Sequence, residues 1–142
     1  MGLIDIASGK SIWRGMDYYE RMMVSSWKKI SDTEYEGTVS GSENNEYQVH
    51  IDLEHPRKSK CNCPFAEGRR VICKHMVALY FTAAPGTAEK FLKQVEEWEK
   101  EEEEEFEARL SGIRDYVDSL PEVEARRMLY DLLAQEEERR YW

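Results

Sequence analysis

Cysteine is scarce in this chain. Three occur among 142 residues, and an odd number argues against a simple disulfide framework. Histidine is equally rare, at three. No apolar run is long enough to span a bilayer, and Met1-Gly2-Leu3-Ile4-Asp5-Ile6 lacks the basic region and apolar stretch of a secretory leader. The expectation is a soluble, cytoplasmic protein with no membrane contact, in a compartment where thiols stay reduced. A phosphate loop is missing as well, because Ser8-Gly9-Lys10-Ser11 lacks the required glycine spacing. No nucleophile stands beside a recognisable base. The sequence therefore predicts no enzyme and no small-molecule substrate.

Apolar residues make up 41% of the chain, with four tryptophans and eight tyrosines, which argues for a folded protein although 35% of residues are charged. The length suits one domain with an appendage. Net charge is −9, and it is unevenly placed: residues 1–86 carry 11 basic and 11 acidic side chains, whereas residues 87–142 carry 9 and 18. The whole excess of acid lies in the second part. We expect two regions with different jobs, a metal-binding domain over 1–86 and an acidic helical hairpin extension over 87–142.

All three cysteines fall in one short stretch. Cys61-Asn62-Cys63 is followed, nine residues on, by Cys73-Lys74-His75. Zinc is a borderline-soft, filled-shell ion that takes thiolates and imidazole in a tetrahedron, and four protein ligands with no vacant position mark a structural site. On an extended strand Cys61 and Cys63 share a face while Asn62 points away. Cys73 and His75 suit the start of a helix, with Cys73 before the first turn and His75 inside it. Buried apolar cysteines or redox thiols would have no reason to fall as two such pairs with nothing left over. The expected ligands are Cys61, Cys63, Cys73 and His75, holding one zinc ion per chain.

The spacing resembles the SWIM zinc finger, as a small stand-alone member. Pro64 after Cys63, Lys74 between the second ligand pair, and Met76-Val77-Ala78-Leu79-Tyr80 are similar to that family's surroundings. Upstream, Arg14-Gly15-Met16-Asp17-Tyr18-Tyr19 and Glu46-Tyr47-Gln48-Val49-His50-Ile51 also look like its lead-in, so the likeness covers roughly residues 12 to 84. The resemblance implies a small sheet followed by a helix, with zinc clamping one to the other, and a role in binding DNA or other proteins.

Taken in order, Leu3, Ile4 and Ile6 suggest a short packed arm. Ser11 to Met22 reads as a helix with Ile12, Trp13, Met16 and Tyr18 or Tyr19 on its apolar face, weakened by Gly15. Strands are expected over 23–30, 34–40, 47–53 and 59–63, joined by tight turns into a meander. Along the third, Tyr47, Val49, Ile51 and Leu53 alternate with Gln48, His50 and Asp52, which leaves His50 on the wet face. His55, in the following turn, is expected in solvent. The helix after Cys73 should end at Ala84-Pro85-Gly86. Beyond it Thr87 looks like an N-cap, and one long helix or two abutting ones run to Leu120, with Ser111-Gly112 as the place for any kink. Phe106, Leu110, Ile113, Val117 and Leu120 fall at coiled-coil spacing. Ser119-Leu120-Pro121-Glu122 has a capping-box pattern and opens a last helix, with Val123, Met128, Leu129, Leu132 and Leu133 as its apolar side. The predicted fold is α+β: a small antiparallel β-meander clamped by zinc to a following helix, plus a C-terminal helical hairpin.

Six basic residues crowd the zinc loop, Arg57, Lys58, Lys60, Arg69, Arg70 and Lys74, against Glu67 alone. They read in two ways. The cluster could face nucleic-acid phosphate. One or two of the six could instead balance the formal −1 of zinc with three thiolates. Two functions stay open at this point: a SWIM-type recognition module whose structural zinc supports a DNA-binding surface, and a protein-protein interaction adaptor or homodimer built on the C-terminal helices, with zinc purely structural.

Overall fold

The computed structural model describes residues 2–142. Two compact units divide after Lys93.

The first unit begins with α1 (Leu3–Ile6) and α2 (Gly9–Glu20), continues through β1 (Val24–Lys29), β2 (Glu34–Ser40), β3 (Glu46–Asp52) and β4 (Lys60–Cys61), and reaches α3 (Lys74–Ala83). The strands pair antiparallel in chain order, β1-β2-β3-β4, as a meander. The alternation expected along β3 is present where it matters: Val49 and Ile51 are buried, and Val39 of β2 joins them. Asp52, on the polar side of the pattern, is buried all the same. Its amide donates to Ser59 Oγ at 3.0 Å, and its carboxylate accepts from the amides of Glu54 and His55. That turn steers the chain from β3 into the metal-binding stretch, so burial here serves a fully bonded Asx turn rather than packing. The last strand is shorter than the sequence suggests. Asn62 nevertheless prolongs the pairing, because its amide donates to the Gln48 carbonyl and its side chain accepts from the Gln48 amide.

Seven of the ten residues of α3 are buried, including Met76, Val77, Leu79 and Phe81. A helix apolar all round must be covered all round. Here the sheet covers one side and α2 the other, so α3 is the middle layer. Each large aliphatic side chain so enclosed contributes roughly 1.5–3 kcal/mol. Leu3 of α1 is also buried in this core.

Two glycines set how closely the layers approach. A Cβ on Gly37 would meet Leu79 Cδ1 and the Ser26 carbonyl at 2.8 Å. A Cβ on Gly15 would overlap the Val77 side chain and lie 2.9 Å from the Lys74 carbonyl. Helix α2 runs unbroken through Gly15, so this glycine marks a helix crossing and not a weak point. Gly15→Ala should raise helix propensity by about 1 kcal/mol yet lose more through overpacking, giving a net destabilisation of about 1–3 kcal/mol. Thermal unfolding of the two proteins measures it; a higher melting temperature for the alanine variant would contradict the close crossing.

The first unit closes with the opening of α4 (Thr87–Ser119). Ala88 is buried, and Phe91 packs on Trp13 and Phe81 at ring-centroid distances of 5.4 and 5.9 Å. Thr87 is the first helical residue, not the N-cap. Its hydroxyl donates backwards to the Ala84 carbonyl at 2.8 Å, which ties the turn between the helices.

The second unit is a helical pair, the remainder of α4 and α5 (Glu122–Tyr141). Helix α4 passes through Ser111-Gly112 as one continuous helix. No capping box forms at Ser119, whose hydroxyl donates to the Tyr116 carbonyl at 2.6 Å, and Pro121 takes the N-cap place of α5. Among the described residues, no helix is long and apolar enough to cross a membrane.

Candidate metal centre

Cys61 ends β4, Cys63 follows it on the same side, Cys73 is the N-cap residue of α3 and His75 stands in its first turn. One ligand atom from each lies within 4.8 Å of the others, and all four residues are buried. They are the only such cluster of metal-binding side chains among the described residues. Asn62, between the first pair, is exposed, as alternation requires.

The donor set fits zinc closely. His75 Nδ1 lies 3.7 Å from Cys61 Sγ and 3.8 Å from Cys73 Sγ. A tetrahedral ion with bonds of about 2.3 Å to sulfur and about 2.0–2.1 Å to nitrogen needs sulfur-to-nitrogen edges of roughly 3.6 Å. These separations are long for hydrogen bonds and near that edge length. Cys61, Cys63, Cys73 and His75 thus form a closed Cys3His site for one zinc ion. With four protein ligands, no position is left for an activated water.

Electrostatics make the site strongly demanding of a cation. In the metal-free chain the Cys73 thiol is lowered to about 4, chiefly because the Cys61 S–H donates to its thiolate, with further help from His75 and the Met76 amide. Cys61 is pushed far above the usual thiol range by the same hydrogen bond, by burial and by the Cys73 charge. Cys63 is raised by burial and then by Cys73. One thiolate is tolerated and two more are resisted. A divalent ion reverses the balance, since it supplies the positive charge that burial withholds.

His75 is held differently from most metal-ligating histidines, which donate their second N–H to a polar group. Its Nε2 is buried without a hydrogen-bond partner. Aromatic rings enclose it instead: Tyr47 lies at 4.5 Å between centroids and Tyr18 at 5.5 Å, edge-on. The sequence puts Tyr47 on the inward face of β3 and either Tyr18 or Tyr19 on the apolar face of α2. Only the fold shows that both faces converge on the imidazole.

The six loop cations divide into two groups. Lys74 Nζ sits 4.9 Å above the Tyr18 ring, and Arg69 lies 5.1 Å over Phe65 while donating to its carbonyl. Arg57, Lys58, Lys60 and Arg70 are exposed. Among the described residues none of the six forms an ion pair, although Arg21, Lys28 and Lys29 of the same unit do. His50, on the wet face of the sheet, is bracketed by carboxylates, with Nε2 3.1 Å from Glu34 and Nδ1 3.3 Å from Glu36. His55 is exposed.

The SWIM zinc finger family model matches residues 47–84, from β3 through the four ligands to the end of α3. No curated protein and no solved structure matches the chain.

Proposed function

Because residues 47–84 match the SWIM zinc finger family model, we propose that the chain is a recognition module whose zinc holds a basic surface in place to bind the phosphates of duplex DNA. The observation that carries this reading is the set of exposed loop cations, Arg57, Lys58, Lys60 and Arg70, none with a carboxylate partner among the described residues. Neutralising a −1 metal centre takes one cation, and Lys74 is already nearest the ligands in sequence. The surplus is available to an external anion. Zinc contributes on both sides of its ligands: Lys60 directly precedes Cys61 in β4, Arg70 lies in the loop that Cys63 and Cys73 bracket, and the amides of Ala66 and Glu67 donate to the Cys63 carbonyl at 3.2 and 2.9 Å.

Phosphate contacts release condensed counterions, so binding should weaken steeply with salt. Titrating the zinc-loaded chain with a short duplex at low and moderate salt tests this directly. The triple variant Arg57→Ala, Lys58→Ala, Arg70→Ala should lower affinity at least about tenfold and reduce the log-log salt slope by up to about three. Binding that is unchanged in the variant would exclude the loop. A wild-type chain with no DNA complex at low salt would move recognition to a protein partner, with zinc purely structural.

A further inference from the structure

The second unit has no core of its own. No residue from 94 to 142 is buried. Phe106, Leu110, Ile113 and Val117 run along one face of α4 at four-, three- and four-residue steps, and they are 54%, 45%, 59% and 48% exposed. Helix α5 leaves this stripe open and touches α4 beside it, where Tyr116 Oη lies 4.0 Å from Met128 Sδ. In proteins most helical stability comes from packing an apolar face, not from propensity. The run Glu101 to Glu105 makes matters worse, because like charges one turn apart repel. Four large apolar side chains in one row are thus about half exposed, and a contiguous apolar row of this kind marks an interaction surface.

We infer that the stripe is covered by the same stripe of a second copy, antiparallel, giving a two-fold homodimer. The sequence around Ser111-Gly112 is self-complementary in this arrangement. Antiparallel pairing about that point sets Leu110 against the second copy's Ile113 and Phe106 against its Val117, as knobs into holes. The same register brings Glu107 beside the second copy's Arg114, twice by symmetry. Both side chains are exposed, and neither has an ion-pair partner within its own chain among the described residues. Orientation follows from charge as well. Parallel pairing would lay the two Glu101–Glu105 runs side by side, whereas antiparallel pairing sends them to opposite ends. The stripe shares no residue with the basic loop, and the dimer stands or falls independently of DNA binding.

Light scattering and native mass spectrometry of the full, zinc-loaded chain decide the matter. The expected particle has twice the 16.8 kDa chain mass. Leu110→Asp should give a monomer that still holds one zinc. Glu107→Arg and Arg114→Glu, both surface changes, should each weaken the dimer about tenfold, and the double swap should restore it to within about threefold of wild type. A wild-type chain that stays monomeric at about 100 μM overturns the inference and assigns the stripe to another protein. A dimer that survives Leu110→Asp, or a double swap no better than the single ones, overturns it too.

Discussion

Cys73→Ser is expected to abolish the cooperative melting transition of the first unit. The substitution is local and nearly isosteric, and serine is a better N-cap than cysteine, so the start of α3 gains rather than suffers. What is lost is the thiolate with the lowest pKa in the cluster, lowered to about 4. Three ligands remain, which leaves the tetrahedron one short. Binding energy at a structural zinc is folding energy, on the order of 10 kcal/mol for small fingers. That is comparable to the whole stability of a domain, roughly 5–15 kcal/mol. The core includes three of the four ligand residues, Cys61, Cys63 and Cys73, and β4 joins the sheet over only two residues. Without the metal the stretch keeps the short β4 pairing, the Asn62 bonds to Gln48 and the buried Ala66 and Ile72. Near-UV circular dichroism and thermal melting should therefore show the variant matching wild type treated with excess chelator. Native spectra and an unchanged melting temperature in Cys73→Ser would refute the structural role of zinc.

Zinc affinity should fall about 100-fold for each pH unit below neutrality. The sign follows from the thiols. Cys61 and Cys63 have raised pKa values and carry their protons at pH 7 in the metal-free chain, while Cys73 is already ionised. Metal binding needs all three as thiolates, so it expels two thiol protons, and each contributes about a factor of ten per pH unit. Lower pH favours the protonated, metal-free form. Competition against a chromophoric chelator at several pH values between 6 and 8 gives the slope. A slope near two fits one resident thiolate; a slope of three would mean that Cys73 is protonated before zinc arrives.

The metal ligands were legible because their chemistry is short-range. Two ligand pairs, each with a one-residue spacer, lie on a strand and a helix start whose local periodicities aim them before any tertiary contact forms. The meander was legible for a similar reason: alternation along Tyr47 to Leu53 and turn residues between the strands specify neighbours that are close in sequence. Chain ends of elements were less so. Thr87 and Ser119 carry N-cap chemistry, but their hydroxyls donate backwards to Ala84 and Tyr116, because a hydroxyl can serve either side of a helix boundary.

What only the tertiary structure decided are the contacts between elements distant in the chain. Gly15 in isolation is a poor helix residue; packed against Val77 and the Lys74 carbonyl it sets the spacing of α2 and α3. Tyr18 and Tyr47 are core aromatics until the fold brings them from a helix and a strand onto the His75 ring. The six loop cations are equivalent in sequence, and the fold gives Lys74 and Arg69 aromatic partners while leaving the other four to solvent. Sequence by itself determined the ligand set, the order of the strands and the acidic helical pair, since these depend on residue type and local period. Close approach, ring stacking and the pairing of charges depend on separations of a few ångströms between remote residues, and no local pattern encodes those.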